Sequence, residues 1–377
     1  MDLKTLTEIN APSGHEQAIR RFLLDELKKL GFAPVLDRMG NVVVVKEGMG
    51  DAPRKRVMVS AHMDEVGLIV TSATEDGYLR IAAAGGIDPR VLVSKRVTVG
   101  EDKLPGVIGA VPIHLQSAAE RKHVLSMDEL LVDIGAKNKD EAECKAPMGT
   151  YISFDTPYVE YGDGFACGKA FDDRVGCLSL LRLLQEELPV DLVACFVSEE
   201  EVGCRGAKGA AFQQEPDIGI VLEGTTCNDL GDVPETAHVC EAGQGVAVSF
   251  MDGASIANRA LFRKALDVAK QENIPHQVKH SVSGGNDGGA IQRAGGCAGG
   301  GAERAVPVYS LAVVGGEAVG CGEPVCAGEG AGESAVTQGF RACGRDKGAT
   351  KTDEVCDRPL DPFAVHHHVT GLLSWLF

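Results

Sequence analysis

Lysine and arginine are scarce, 37 against 54 aspartates and glutamates, which leaves a formal net charge of -17 over 377 residues. A surface this acidic repels polyphosphate chains and anionic headgroups, so nucleic acid and membrane surfaces are excluded as natural partners. Long apolar runs are missing too. No stretch of about 18 apolar residues offers a bilayer span. The N-terminus also lacks a basic start followed by an apolar core, the pattern of a secretory signal. A cytoplasmic protein is the expectation. The 12 cysteines contain no CxxC pair, so free thiols are expected rather than a disulfide framework. What remains is 44% hydrophobic residues with a mean hydropathy of -0.01, the balance of a globular chain. Its length favours two domains over one core.

Taken in order, the chain opens with a helical pattern up to Asn10, broken by Ala11-Pro12-Ser13-Gly14. Ser13 is the expected N-cap of a helix on which Ile19, Phe22, Leu23, Leu27 and Leu30 recur at helical spacing. Asn41–Val45 and Arg56–Ser60 read as strands. From Val66 to about Tyr161, short strand-like pieces alternate with Gly and Pro turns, the pattern of a small β-rich domain. After Gly164 helix and strand alternate: Asp172–Glu187 helical, Val190–Val197 a buried strand, Asp217–Leu222 another, then Gly245–Met251, a helix over Asn258–Asn273 and a strand over His276–Val282. Such alternation builds an α/β sheet with helices on both faces. The β-rich block is therefore an insertion into one α/β domain.

Metal-type ligands follow the predicted strands: His62 with Asp64, the pair Glu200 and Glu201, and Glu223, joined by Asp172 at a helix start. In an open α/β sheet, sites form beyond the carboxyl ends of the strands, so positions spread from residue 62 to residue 223 can converge. Each piece has an ordinary reading. A histidine on a strand is often structural, Asp172 can cap a helix dipole, Asp173-Arg174 can be a local ion pair, and Glu223 can face solvent. Together, one imidazole and five carboxylates form a donor set for zinc or cobalt, with manganese also compatible. Ser198-Glu199-Glu200-Glu201 is the centre of this set. Three consecutive carboxylates at a strand exit are costly unless cations face them.

Five segments carry a resemblance: Ala11-Pro12-Ser13-Gly14-His15-Glu16, Ala61-His62-Met63-Asp64-Glu65-Val66-Gly67, Lys169-Ala170-Phe171-Asp172-Asp173-Arg174-Val175-Gly176, Glu200-Glu201-Val202-Gly203-Cys204-Arg205-Gly206-Ala207 and Gly284-Gly285-Asn286-Asp287-Gly288-Gly289-Ala290-Ile291. In register to about residue 295, the chain resembles the tetrahedral (TET-type) dinuclear metalloaminopeptidases, which include bacterial glutamyl aminopeptidase. The resemblance implies a peptidase-like α/β mixed sheet flanked by helices, formed by residues 1–65 and 164–295. It also implies an inserted β-barrel-like dimerisation domain over 66–163. Two divalent ions, peptide substrates trimmed from their N-termini, and a homo-oligomer, a dodecamer in this family, come with it. Carried over position by position, Asp172 bridges both ions, His62 and Glu223 complete one, and Glu201 binds the other. Glu200 is then the general base, Asp64 orients His62, and Glu199 is a neighbour without a direct role. A carboxypeptidase-like or deacylating relative of the same wider clan stays open, as does a non-catalytic remnant.

The tail departs from the pattern. The family's second ion takes a histidine from an Arg-Tyr-Ile-His-Ser-Pro segment; counting forward from Asp287 lands on Leu311. Between Gly284 and Gly348, 19 of 65 residues are glycine, and no periodicity persists after about Gly295. Back-translating Ala302–Gly315 with permitted codons and reading one base later can yield ALSVPCRYIHSPSS, the missing segment. A frameshift between roughly Ile291 and Gly301 is the expectation, leaving residues 296–377 an atypical Gly-rich stretch out of frame and removing the last strand and its covering helix. The rival is a genuine flexible tail, with His366-His367-His368 as replacement ligands.

Overall fold

The computed structural model describes residues 2–161, 165–229, 231–282, 284–294, 308–314 and 364–376. Helices α1 (Leu3–Thr7) and α2 (Gln17–Lys29) lead into strands β1 (Val35–Leu36), β2 (Val42–Lys46) and β3 (Arg56–His62). On α2, Ile19, Leu23 and Leu27 are fully buried, as the helical spacing of apolar residues predicts. Ser13 is not its cap. The helix starts after Glu16 with no side-chain cap, and the Ser13 hydroxyl instead donates to Asp64 Oδ2 at 2.7 Å.

After β3 the chain leaves the sheet. Strands β4 (Gly67–Ala73), β5 (Leu79–Ala84), β6 (Arg96–Val99), β7 (Leu104–Gly109), β8 (Leu131–Asp133) and β9 (Tyr151–Phe154) close into an antiparallel barrel, with α3 (Lys139–Lys145) against it. Alternate residues such as Leu68, Val70, Leu79, Ile81, Val97 and Val99 fill its interior. A ribbon of β10 (Val159–Tyr161) and β11 (Phe165–Cys167) brings the chain back.

Helix α4 (Phe171–Leu183), β12 (Asp191–Val197), α5 (Arg205–Gln214), β13 (Ile218–Thr225), β14 (Val246–Ser249), α6 (Arg259–Gln271), β15 (His276–Val278), α7 (Asp287–Ala294), β16 (Val308–Val314) and α8 (Ala364–Leu376) follow. The eight sheet strands run β1-β2-β12-β3-β13-β16-β14-β15. Its centre, β12-β3-β13-β16, is parallel, with antiparallel pairings towards both edges. Central parallel strands are covered on both faces, which is why Leu192–Val197 is apolar at every position. One face packs α4, α6 and α8; the other packs α5 and α7. No helix of the described residues is long and apolar enough to cross a membrane.

The tail is more regular than its glycine content suggests. β16 lies between β13 and β14, and α8 sets Val369, Leu372 and Leu373 into the core beside Leu261, Ala265 and Val268. The expected absence of a last strand and covering helix is thus overturned. Two short apolar segments are diluted when a long glycine-rich stretch is averaged, but each can still complete an open sheet or groove. Most of the expected shift point and of residues 296–377 lies outside the described residues.

Candidate active site

The site lies beyond the carboxyl ends of three neighbouring parallel strands, β12, β3 and β13. His62 ends β3, Ser198–Glu201 follow β12, and Glu223 lies inside β13, which runs on to Thr225. Asp172 and Asp173 come from the start of α4, before its regular helix begins.

The turn after β12 is built from buried polar groups. Asn41 Oδ1 accepts from the Ser198 amide at 2.9 Å, and Asn41 Nδ2 donates to the Gly206 carbonyl at 3.0 Å. Only glycine fits at 206, because a Cβ there would lie 2.3 Å from Asn41 Oδ1 and 2.4 Å from the Ser198 carbonyl oxygen. Glu199 adopts a left-handed φ of 55°. Its carboxylate points away and accepts from Arg205 Nη1 at 3.1 Å, so only Glu200 and Glu201 join the cluster. Asp64, fully buried, takes both their amides: Glu200 N–H at 3.1 Å on Oδ1 and Glu201 N–H at 3.2 Å on Oδ2.

The Nδ1–H of His62 donates to the Asp64 carbonyl at 3.2 Å, with the Asp64 carboxylate at 3.4 Å. A carbonyl can only accept, so Nδ1 carries the proton of this bond and Nε2 is the ring nitrogen that faces the site. There Nε2 meets Asp172 Oδ1 and Glu223 Oε1, each at 3.2 Å. The Asp172 side chain is 40% exposed and marks the mouth. Although this side chain reaches the surface, the protein atoms around its carboxyl desolvate it and push it up; hydrogen bonding and attraction from His62 hold it at about 2. Burial lowers the His62 imidazole; Glu223, Asp172 and Asp64 override this and hold it well above its ordinary range. Burial, and then neighbouring carboxylates, push Glu201 and Glu223 well up and raise Glu200.

His62, Asp64, Asp172, Glu200, Glu201 and Glu223 therefore lie in one cluster. Three more acidic or thiol groups join them. Asp173 is fully buried and accepts from the His62 amide at 3.1 Å and from the Gly176 amide at 2.9 Å. Asp287 and Cys204 form a further grouping with Glu200. Asp173-Arg174 is not an ion pair: Arg174 Nη1 donates to the carbonyls of Leu6 at 2.6 Å and Ile9 at 3.3 Å. His368 is buried on α8, which packs against α6 and α4; burial lowers its imidazole to about 4. Among the described residues, the metal-competent groupings do not include it.

Comparison with known proteins turns this geometry into a family. The M42 glutamyl aminopeptidase family matches residues 40–301. The chain belongs to that family. It is 33% identical over 306 residues to the glutamyl aminopeptidase of Lactococcus lactis subsp. cremoris, covering 78% of this chain and 84% of the relative. The TET aminopeptidase of a marine sediment Thaumarchaeota archaeon superposes with a TM-score of 0.82 at 27% identity, over 99% of this chain and 95% of that one. Pyrococcus horikoshii TET1 peptidase, which can assemble into a tetrahedron or a large octahedral shell, gives a TM-score of 0.71 at 31% identity, over 83% and 90% of the two chains. The M42 chain described here is a metal-dependent aminopeptidase.

The M42 pocket suits divalent cations on its own chemistry. His62, Asp173 and Glu223 form one grouping and His62, Asp172 and Glu201 another, with donor atoms within 4.8 Å in each. Glu223 Oε2 is buried with no hydrogen-bond partner among the described residues. A bare carboxylate oxygen among other carboxylates is costly, and a cation removes that cost. Leu311, the position reached by counting forward from Asp287, lies on β16, where its Cα pairs with Leu222 while Ala312 pairs with Glu223.

Proposed function

We propose that the pocket holds two divalent ions, zinc or cobalt with manganese also compatible, and removes N-terminal residues from peptides. His62, Glu223 and the shared Asp172 would hold one ion; Asp172 and Glu201 would hold the other. The observation that supports this most is the 3.2 Å meeting of His62 Nε2 with both Asp172 and Glu223 beside Glu200 and Glu201. Bound ions would acidify a water and polarise the scissile carbonyl. Glu200 takes a proton from the attacking water and returns it to the leaving amine. Asp64 is a positioning residue: it holds the Glu200 and Glu201 amides and, through its carbonyl, the His62 ring.

Residues 1–65 and 164–295 serve as the catalytic unit and 66–163 as the dimerisation unit of a homo-oligomer, a dodecamer on the family's pattern, in the cytoplasm. The test is metal content together with hydrolysis of free-amine and N-acetylated aminoacyl substrates. Two ions per chain with turnover only on free amines supports the reading; cleavage of the blocked substrate sinks it. Chelation is expected to stop hydrolysis and lower Tm, because saturation at 100 times Kd stabilises by about 2.7 kcal/mol.

Leu311 favours a second reading, a catalytically dead metal-binding remnant, which zero or one ion per chain without turnover would support. A frameshift between roughly Ile291 and Gly301 reconciles the two. Sequencing the gene across residues 290–315 is expected to show one base whose correction places histidine at Leu311; if no single-base change does so, the frameshift is wrong.

A further inference from the structure

Cys204 stands at the start of α5 with a left-handed φ of 53°. Its Sγ–H donates to Glu200 Oε1 at 3.2 Å. Asp287, first residue of α7, arrives from the helix packed beside α5. It is 1% exposed, and its Oδ1 has no hydrogen-bond partner among the described residues. One carboxylate oxygen from Glu200, one from Asp287 and the Cys204 sulfur all lie within 4.8 Å of one another. A buried carboxylate facing a half-buried one is repulsive, and a cation between them offsets that repulsion. The sulfur decides which cation. A thiolate with two carboxylates favours zinc and cadmium over magnesium or manganese.

We propose that Glu200, Cys204 and Asp287 form a separate site for a soft divalent cation, and that zinc, or its analogue cadmium, inhibits the enzyme there by immobilising the Glu200 carboxylate. The site shares no ligand with His62, Asp172, Glu201 or Glu223. Binding breaks the Cys204 S–H bond, releases one proton to solvent and forms one sulfur–metal bond, without oxidation or reduction. The inhibitory half rests on Glu200 being the base; the binding half does not.

The experiment titrates the full-length, cobalt-loaded protein with cadmium. It follows bound cadmium by equilibrium dialysis, thiolate-to-cadmium charge-transfer absorption in the ultraviolet, and hydrolysis. The wild type is expected to take up one cadmium more per chain than Cys204→Ser, to show the matching absorption, and to lose activity in parallel. Cys204→Ser is expected to bind cadmium at this site about tenfold more weakly or worse, and to be inhibited correspondingly less relative to its own activity. Asp287→Asn is the second arm. It keeps the thiol, so it is expected to need more cadmium to reach the same absorption. Because other cysteines are present, the difference between wild type and Cys204→Ser is the readout. Equal uptake and absorption in the two proteins overturns the site. Cadmium bound through Cys204 with hydrolysis unchanged overturns the inhibition, and the activity of Glu200→Gln then shows whether the base assignment is at fault.

Discussion

Glu200→Gln is expected to stay folded, keep its metal content, and lose about 10²–10⁴-fold in kcat. The amide preserves the shape of the side chain, and its oxygen can still accept from Cys204. The backbone N–H of residue 200 still reaches Asp64, so the turn that carries Glu201 is unchanged. What disappears is the ability to accept a proton from water at ordinary pH. Glu201→Gln is the contrast, since a lost ligand lowers metal content as well as rate. The measurement is kcat and KM on an aminoacyl anilide with metal analysis on the same sample. Wild-type turnover in Glu200→Gln means that another group is the base.

Lys169→Met is expected to cost about 3–5 kcal/mol of stability, the usual result of stranding a buried charge. Lys169 and Glu65 are 4% and 3% exposed, and the ammonium lies 2.8 Å from both carboxylate oxygens. Glu65 also accepts from the Ala11 amide at 2.7 Å, and Lys169 donates to the Ile9 carbonyl at 3.2 Å. With methionine at 169, the Glu65 carboxyl is left buried without its cation and faced by the Ala11 amide. Tm is expected to fall on the order of 10 °C. Adding Glu65→Gln removes the stranded charge while keeping an acceptor for Ala11, so the double variant is expected to recover at least half of the loss. A single variant that melts with the wild type would show the pair to be dispensable.

Much of this was legible in the sequence, for identifiable reasons. Apolar runs that end in ligand-type residues mark strand exits, and strand exits converge; that sufficed for His62, Glu200, Glu201 and Glu223. The barrel was legible from its short strands and frequent turns. Side-chain direction was not. Whether Glu199 or Glu200 enters the pocket depends on a left-handed backbone at Glu199, a conformation that non-glycine residues rarely take and that composition does not announce. The same holds for Cys204. Asp287 meets Cys204 only because α5 and α7 pack together, a tertiary fact without a local signature. Arg174 follows an aspartate and pairs instead with carbonyls of the N-terminal segment, since backbone oxygens at the end of α1 need donors. Residues 308–314 were hidden by the glycines around them.

The Glu65–Lys169 pair joins residues separated by 104 positions in sequence. It sits where the chain departs for the barrel and where it comes back. Departure and return are therefore pinned together, and to the parent sheet a detour of that length has the footprint of a tight turn. Because closure cost grows only with the logarithm of the enclosed length, the barrel can gain or lose loop residues at its outer end without changing the distance between its two roots. Those roots abut His62 and Asp64 on one side and Asp172 and Asp173 on the other. A force applied to the barrel arrives at both halves of the catalytic cluster together, through two backbone roots that this ion pair holds side by side.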